Sequence, residues 1–540
     1  MLRPRLLVLL GLGGWLATGL VLWACGDRAR PGPEEGPEEP AGETGAVAQR
    51  EWQAYFRPPT DRIPKELASN PGTPWGDYVG STACKDCHPK DYAGWRDSFH
   101  SRTLYDARQE TVFADFSGKV SFTDPKYPFR VYPLTKDGRF LFRIDRNPDF
   151  QDVKVVVDPL DPARSQDGPH SYGHGVPPFP TGDYEVLYSF GNRRHQPFVV
   201  RANDGRHWVP PVYWNDVMKS WEWDDWRPYA VTCANCHVTG IKSTTEEKGK
   251  LDRFGLSMPP RWNLSPEQEG WAEGAVGCEV CHGPGRPHIE TVRRMGDAPY
   301  RAYLAAGGAP TIYNPAKDTP KRRMQQCDAC HNFFTESSVS WIPGPDGYDH
   351  DPVSIPIRPS GSKADSAQFY PNGVDMSPCT VGTVFRASKM GRSGVECQAC
   401  HDPHGNSNWA ELVRPIEHNE LCLMCHEADK SGHFRDELSV AQHAHHKPGG
   451  PGVLCVECHM PRDKHFTNGV HVMSAKIHSH AFSIPTGHES DGGGPASSCN
   501  LCHTDKSAAW TVQTLAKWKR EAAIAPGATT PAKAVPPLGK

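Results

Sequence analysis

The stretches Cys397-Gln-Ala-Cys-His401 and Cys422-Leu-Met-Cys-His426 decide how this chain folds, because the pattern that they share, C-x-x-C-H, occurs eight times. The copies, numbered motif 1 to motif 8 in chain order, are Cys84/Cys87/His88, Cys233/Cys236/His237, Cys278/Cys281/His282, Cys327/Cys330/His331, Cys397/Cys400/His401, Cys422/Cys425/His426, Cys455/Cys458/His459 and Cys499/Cys502/His503. They take up all but two of the 18 cysteines. A chain with its cysteine concentrated in one repeated pattern is organised around what that pattern binds.

The spacing within each copy suits one cofactor, a covalently attached c-type haem. Two intervening residues set the cysteine sulfurs at the separation of the two attachment points, and the next histidine lies under the iron as its proximal ligand. Zinc sites pair two C-x-x-C knuckles or combine one knuckle with distant histidines, and a disulfide framework needs no histidine. The sequence therefore predicts eight c-type haems, attached through the motif cysteines and ligated by the eight motif histidines.

Composition sets the expected fold class and excludes some functions. Lys and Arg total 59 against 63 Asp and Glu, a net charge of -4, which gives no reason to expect nucleic-acid binding. Only 37% of the residues are hydrophobic, while 51 Gly and 52 Pro favour loops. Eight porphyrins would supply the apolar area that the side chains lack. We therefore expect a mostly α fold, with irregular loops wrapped around eight haems and a small β-rich insertion after motif 1.

Local patterns place the regular elements. Three segments in the long gap after motif 1 are rich in β-branched and aromatic residues and are predicted to be strands: 139–144, 153–157 and 184–190. The turn Asn203-Asp-Gly205 predicts a hairpin between 198–201 and 206–209. Helices are expected to be short and to lie beside the motifs, and Thr504 could cap one that runs to about residue 520.

The N-terminus has the layout of an export signal or a membrane anchor. Arg3 and Arg5 precede an uncharged run over residues 6–24, which ends at Leu22-Trp-Ala-Cys25. This end fits a lipoprotein box except for the bulky Trp23, so lipidation of Cys25, an uncleaved membrane helix and plain cleavage all stay open. Haem is attached to such motifs outside the cytoplasm. We therefore expect an exported protein on the periplasmic or cell-surface side, anchored to a membrane at its N-terminus.

The spacing of the motifs predicts two haem-binding blocks between flexible ends. The expected parts are a signal, lipoprotein or anchor segment at 1–25, a disordered linker at 26–74, a three-haem domain with the β insertion at 75–300, a five-haem domain at 301–520 and a disordered tail at 521–540. Cys379 lies outside every motif, and a small buried residue, a haem contact and a redox thiol are its alternatives.

More histidines are present than the proximal positions require. The chain has 26, so those outside the motifs outnumber the eight irons, and each iron could take a second histidine. Bis-His ligation gives lower potentials than His/Met ligation, so we expect mostly low-spin, low-potential haems. Five of the histidines outside the motifs lie beside turns near a motif, and we expect these five to be distal ligands. The alternative is that they are ordinary exposed surface histidines. They are His100, His288, His404, His446 (with His445 as its alternative) and His480.

Several longer strings resemble the multihaem cytochrome c family related to cytochrome c-554. They are Tyr78-Val-Gly-Ser-Thr-Ala-Cys84 with Trp95 and His100, Cys233-Ala-Asn-Cys-His-Val-Thr-Gly240, Gly277-Cys-Glu-Val-Cys-His-Gly-Pro-Gly285 with His288, Ser388-Lys-Met390 before Gly394-Val-Glu-Cys397, Cys400-His-Asp-Pro-His404, His445-His-Lys-Pro448, Cys458-His-Met-Pro461 and Cys499-Asn-Leu-Cys-His-Thr-Asp-Lys506. The resemblance spans about residues 78–520. It implies an exported electron carrier with closely stacked haem pairs, a c-554-like character for the block 75–300, and distal ligation by the five histidines named above.

These features favour electron transfer over catalysis. Related octahaem enzymes carry either a C-x-x-C-K motif or a tyrosine crosslinked to the catalytic haem. No C-x-x-C-K occurs here, and no tyrosine can be assigned as the crosslinking residue from the sequence. The expected function is electron transfer along mostly bis-His haems, between membrane or periplasmic redox partners, such as quinol-linked complexes, and external ones. The alternative is a multihaem reductase of a small nitrogen or sulfur oxyanion, with the haem at motif 2 as its five-coordinate site, because no distal histidine is obvious there.

Overall fold

The computed structural model describes most of the chain that carries the motifs. The described residues are 70–123, 129–147, 181–191, 195–203, 205–216, 219–223, 227–242, 269–331, 370, 381–406, 409–416, 419–427, 437–461 and 478–524. The export or anchor segment, most of the predicted linker, the predicted strand 153–157 and Cys379 lie outside them.

The prediction of a mostly α fold is wrong. Within the described residues, about 40% are helical and 19% are in strands, which form several antiparallel sheets. The reason lies in the segment between motif 1 and motif 2. It is long enough to build a sheet with its own side-chain core, whereas the sequence around the motifs forms helices that are mostly short.

The strands within the described residues form three sheets. Their bounds are β1 Leu104–Asp106, β2 Phe122–Thr123, β3 Phe129–Lys136, β4 Arg139–Arg146, β5 Gly182–Phe190, β6 His195–Gln196, β7 Phe198–Arg201, β8 His207–Val209, β9 Val212–Asn215, β10 Ser220–Trp223, β11 Arg227–Pro228, β12 Thr239–Ile241 and β13 Trp271–Glu273. The largest sheet has the order β11-β8-β7-β5-β4-β3-β2, with β1 paired to β5, and the others have the orders β10-β9-β6 and β12-β13. The β12-β13 pair joins the chain after motif 2 to the chain before motif 3.

The strand predictions that fall on described residues are confirmed. The segments 139–144 and 184–190 lie within β4 and β5, and β7 has the predicted bounds 198–201. The predicted hairpin is present, since Val200 pairs with Trp208 across β7 and β8. Alternation of β-branched and aromatic residues is therefore a dependable strand signal in this insertion.

Aromatic side chains form the core of the insertion. Phe116 lies 5.2 Å from both Phe142 and Phe198, measured between ring centroids, and 5.3 Å from Trp221. Phe142 and Phe198 are fully buried. Tilted and edge-to-face packing at these distances is favourable for aromatic rings. The sheet is thus stabilised by its own side chains. The last residue of its interior strand β5, Phe190, contacts motif 2, since its ring lies 5.1 Å from that of His237.

The helices are mostly one to three turns long and cluster at the motifs. Their bounds are Pro89–Asp97, Tyr229–Thr232, Ala234–His237, Cys278–His282, Arg286–Met295, Asp297–Ala305, Pro320–His331, Val381–Ala387, Lys389–Arg392, Glu420–His426, Glu437–Ala444, Cys455–His459, Ser498–Cys502 and Ala508–Ile524. Short 3-10 turns add Ser81–Cys84, His100–Arg102, Pro315–Lys317, Cys397–Ala399, Trp409–Glu411 and Pro451–Val453. The helix predicted to start after Thr504 begins later, at Ala508, and ends at Ile524, inside the range predicted as a tail. Among the described helices, none is both long and apolar enough to cross a bilayer.

Candidate haem sites

The motifs lie in helical or turn backbone, which in motifs 4 and 6 is the last part of a longer helix. In motifs 1, 5 and 8 the histidine N–H donates to the carbonyl of the first cysteine, at 2.9, 3.0 and 2.8 Å. Side chains three and four positions apart lie on the same face of such a turn. Both sulfurs and the imidazole of a motif can therefore address one flat ligand from one side.

Three of the motif histidines are oriented by hydrogen bonds to backbone carbonyls. The Nδ1 atoms of His282, His401 and His459 lie 2.9 Å from the carbonyl oxygens of Tyr313, Ala410 and Ser483 respectively. A carbonyl can only accept, so each Nδ1 carries the proton. The lone pair of Nε2 is then the one available for a metal, as in other sites where the second ring nitrogen sets the ligating one.

Five motif histidines each face a second histidine. The distances between ring centroids are 6.4 Å for His331 and His100, 6.2 Å for His282 and His404, 6.3 Å for His401 and His480, 6.3 Å for His459 and His443, and 6.1 Å for His503 and His446. These distances lie at the long end of the range for contact between aromatic rings, which is about 4.5–7 Å. They are also nearly constant, although the planes of the paired rings differ by between 4° and 64°.

This constant separation matches one metal atom held between two imidazoles. With metal–nitrogen bonds of about 2.0–2.1 Å, and a ring centre about 1.1 Å behind the ligating nitrogen, the two ring centres would lie about 6.3 Å apart. The donor set, two imidazoles, is also what a haem iron takes as axial ligands. The residues present therefore fit the haem that the motifs imply.

The distal partners come from distant parts of the chain. His100, just after motif 1, faces the histidine of motif 4, and His404, just after motif 5, faces that of motif 3. His288 lies close enough to His88 that the two interact electrostatically, and its Nδ1 is 3.2 Å from Thr311 Oγ1. Pairing across the sequence of this kind is invisible in the spacing of the motifs.

Sequence reasoning missed His443 and left His445 open. His443 faces His459, whereas His445 stacks on Trp518 with ring centroids 4.1 Å apart and faces no motif histidine. The spacing of His443 and His446, three residues apart, was the available signal. In the structure the helix ends at Ala444 and His445 has a positive φ, so His443 at the helix end faces His459 and His446 in the following turn faces His503.

Motif 2 differs from the others in its surroundings. Within the described part of the chain, the ring of Phe190 packs against His237, and no described histidine ring faces His237. Burial lowers the pKa of His237 to about 4, so the imidazole is neutral and fit to bind a metal. The carbonyl of His237 accepts from Thr103 Oγ1 at 2.7 Å, which ties motif 2 to the start of β1.

The motif cysteines contact one another in a continuous series. The cysteine sulfurs lie near one another between motif 1 and motif 3 (Cys84–Cys278), motif 4 and motif 5 (Cys327–Cys397), motif 6 and motif 7 (Cys422–Cys455) and motif 2 and motif 4 (Cys236–Cys330). The sulfurs also lie near enough to interact electrostatically between motif 3 and motif 4 (Cys281–Cys330), motif 5 and motif 6 (Cys400–Cys425) and motif 7 and motif 8 (Cys458–Cys499). The spatial order is therefore 1, 3, 4, 5, 6, 7, 8, with motif 2 joined at motif 4.

Buried ionic side chains brace two of these junctions. Glu279, inside motif 3, accepts hydrogen bonds from the backbone just before motif 1. At the other junction Asp328, inside motif 4, forms a buried ion pair with Arg386, and Arg323 binds Glu396 next to motif 5 at 2.7 Å. Loss of one partner of a buried ion pair is destabilising, because it leaves the other charge uncompensated.

Comparisons with known proteins agree with the motifs. The family model described as a doubled CXXCH motif matches residues 391–431, which contain motifs 5 and 6. The chain is 26% identical over 213 residues to the multiheme cytochrome MtrA of Shewanella baltica (strain OS185), covering 38% of this chain and 54% of that protein. It therefore spans about half the length of this curated relative.

Two solved structures are similar at lower identity. The outer cell wall cytochrome OcwA has a TM-score of 0.48 and 18% identity, covering 83% of this chain and 88% of that one. The undecaheme cytochrome from the S-layer of Carboxydothermus ferrireducens has a TM-score of 0.36 and 16% identity, covering 84% of this chain and 61% of that one. The repeated motif, the matched doubled-CXXCH model and the curated relative together identify this chain as a multihaem c-type cytochrome with covalently bound haem.

Proposed function

We propose that the chain binds eight c-type haems, one at each motif, and conducts electrons between redox partners outside the cytoplasm. The observation that carries this proposal is the unbroken series of contacts between neighbouring motifs. A haem supplies reversible one-electron transfer when it is bound. The polypeptide would hold the porphyrins close enough for electrons to pass from one end of the series to the other.

The side chains favour transfer over substrate binding. Five motif histidines face a second histidine, so five irons would have both axial positions closed. Closed positions keep small molecules off the metal, and two imidazoles hold the potential low. The pairing supports the predicted bis-His coordination, with His443 added to the expected distal ligands.

Electrons would enter and leave at the ends of the series. The exposed motif cysteines within the described residues are Cys87, Cys425 and Cys502, which belong to motifs 1, 6 and 8. Motifs 1 and 8 are also the two ends of the spatial order. Exposed haem edges at both ends would let separate redox proteins, or a quinol-linked membrane complex at one end, dock without competing.

Export and anchoring complete the proposal. The N-terminal sequence Arg3 to Cys25 supports secretion, followed by lipidation at Cys25 or retention of a membrane helix. The protein would then lie on the periplasmic or cell-surface side of the membrane. A Cys25→Ser variant should move to the soluble fraction if the anchor is a lipid, and should stay with the membrane if it is a helix.

Haem content and coordination are the direct tests. Protein from a host able to mature c-type cytochromes should show a Soret band and a mass gain of eight haems over the processed polypeptide. Its oxidised EPR spectrum should be dominated by low-spin signals. A colourless protein, or one that holds zinc, would contradict the proposal.

A reductase of a small nitrogen or sulfur oxyanion is the second candidate, and motif 2 is the reason for it. No described histidine faces His237, so an iron held there would have an open position. EPR with and without nitrite separates the two functions. A high-spin signal that nitrite changes, together with rapid reoxidation of the reduced protein, would favour the reductase, and an unchanged spectrum would exclude it.

A further inference from the structure

Two buried carboxylates lie at the junction of motif 1 and motif 3. Glu279 is 2% exposed and accepts hydrogen bonds only from backbone N–H groups: Val79 at 3.0 Å, Gly80 at 2.8 Å and Gly285 at 2.7 Å. Burial raises the pKa of the Glu279 carboxyl, and the three N–H donors oppose that rise by stabilising its ionised form. Because Val79 and Gly80 lead directly into motif 1, this one side chain joins the two motifs.

Glu273 is the second carboxylate, and it makes a similar connection. It is 4% exposed, and its Oε2 accepts from the N–H of Ser81 at 3.1 Å and from its hydroxyl at 2.7 Å. Asn70 Nδ2 donates to the other oxygen at 3.0 Å. Burial raises the pKa of the Glu273 carboxyl and the nearby charge of Glu279 adds to the rise, while the hydrogen bonds from Ser81 and Asn70 oppose it. All of these donors are neutral, so they do not cancel the negative charge.

The two carboxylates are close to the sites where haem would be attached. Both interact electrostatically with Cys84, the first cysteine of motif 1, and Glu279 lies inside motif 3 between its two cysteines. Arg286 is the cation whose charge acts on Glu279. Its side chain is exposed, however, and its Nε donates a hydrogen bond to the carbonyl of Gly76. The charge at this junction is therefore largely uncompensated.

The junction of motifs 4 and 5 is built differently. Asp328 occupies in motif 4 the position that Glu279 occupies in motif 3, and it is also buried, at 1% exposed. It is paired with the guanidinium of Arg386, which lies beside Cys327 and Cys397. The carboxylate and the guanidinium cancel, so this junction carries little net charge.

We propose that Glu279 and Glu273 act as an anionic clamp that lowers the reduction potentials of the haems at motifs 1 and 3 below those of the haems at motifs 4 and 5. The inference rests on the proposed binding of haem at these motifs. A buried negative charge stabilises the oxidised, more positive form of a nearby haem, because little solvent screens the attraction. Motif 1 would then be the low-potential end of the series.

Charge-removing variants test the proposal through the potentials. Glu279→Gln and Glu273→Gln keep the size of the side chain and remove the charge. In a spectroelectrochemical titration, the lowest-potential steps, contributed by two of the eight haems, should move to higher potential in both variants. Glu279→Asp retains the charge, so those steps should stay at low potential. If Glu279 acted only through its shape and hydrogen bonds, the shorter Asp side chain should shift the steps as well.

Glu290→Gln is the matched control. Glu290 is exposed and lies two residues from His288, so solvent screens its charge and its removal should leave the titration unchanged. A Glu279→Gln protein with eight haems and an unshifted curve would overturn the clamp while leaving the proposed function intact. Wild-type protein without haem would instead overturn the proposed function.

An axial variant gives a test that does not depend on the clamp residues. His404 is exposed and faces His282 of motif 3, so His404→Met should raise the potential of that haem alone. The proposal requires that the redox step shifted by His404→Met is one of the two steps with the lowest potential. If a higher step moves and the lowest steps stay, the assignment of motif 3 to the low-potential end is wrong.

Discussion

At the scale of single residues, the distal histidines have the most direct spectroscopic consequence. His480 faces His401 with ring centroids 6.3 Å apart, and its Nδ1 is held by the carbonyl of His478 at 3.1 Å. We expect His480→Ala to convert one low-spin iron to high spin, because the second imidazole is lost. EPR of the oxidised protein measures this.

The control for that variant is another histidine of the same segment. His488 is exposed and its Nδ1 binds Asp491 at 2.9 Å, away from any motif histidine. His488→Ala should leave the low-spin signals unchanged. Equal spectra for the two variants would mean that His480 is not an axial ligand.

Close backbone contact makes Gly94 a second critical residue. A Cβ at Gly94 would lie 2.5 Å from the carbonyl oxygen of Gly405, in the loop that carries His404. Overpacking of this kind costs about 1–3 kcal/mol. We therefore expect Gly94→Ala to lower the stability to denaturant by that amount and to displace His404, which would add a high-spin signal from motif 3.

Gly450→Ala provides a comparison with a milder contact. Its Cβ would lie 3.2 Å from the carbonyl of Lys447, so a shift of a few tenths of an ångström would accommodate it. The stability of this variant should stay close to that of the wild type. A Gly94→Ala protein with unchanged stability and EPR spectrum would contradict the tight packing of the two loops.

At the scale of elements, the β insertion is stabilised separately from the haem motifs. Phe142 in β4 is fully buried among Phe116, Phe198 and Trp221. Phe142→Ala should cost about 3–5 kcal/mol of local stability, since a large buried ring is replaced by a cavity. Hydrogen exchange should show faster opening of the amides in β3, β4 and β5.

The haem signals distinguish local from global effects of that variant. Because the axial pairs lie outside this aromatic core, the Soret band and the low-spin EPR signals should persist while the sheet amides exchange faster. Phe129→Ala, at a partly buried position of the neighbouring strand β3, should have a smaller effect. Loss of all haem signals in Phe142→Ala would mean that sheet and motifs unfold as one unit.

At the scale of the whole molecule, the order of the motifs predicts which haems conduction requires. The series 1, 3, 4, 5, 6, 7, 8 passes through motif 5 but does not need motif 2, which joins at motif 4. Replacing both cysteines of motif 5 by serine should slow the spread of electrons between the two ends. Re-equilibration of haem absorbance after pulse radiolysis measures that rate.

The same replacement at motif 2, Cys233→Ser with Cys236→Ser, is the matched control. It also removes one haem, but the series between the ends stays continuous, so the rate between the ends should remain near that of the wild type. A larger loss of rate from the motif 2 variant than from the motif 5 variant would contradict the order of contacts described above.

The sequence by itself determined the chemistry of this protein. The spacing of two cysteines and a histidine is a local property, set within one helical turn, so haem attachment and proximal ligation could be predicted from the five residues of each motif. The strands β4, β5 and β7 could also be predicted, because β-branched and aromatic residues signal their own local structure. The prediction of a mostly α fold failed because composition averages over the chain and does not weigh the insertion by itself.

Only the tertiary structure decided which parts of the chain meet. His100 faces the histidine of motif 4, His404 faces that of motif 3, and Glu279 binds the backbone before motif 1, each across a long stretch of sequence. Contacts of this kind depend on how short helices and loops pack in three dimensions, and no local pattern encodes the partner. The order of the series and the anionic junction of motifs 1 and 3 follow from that packing.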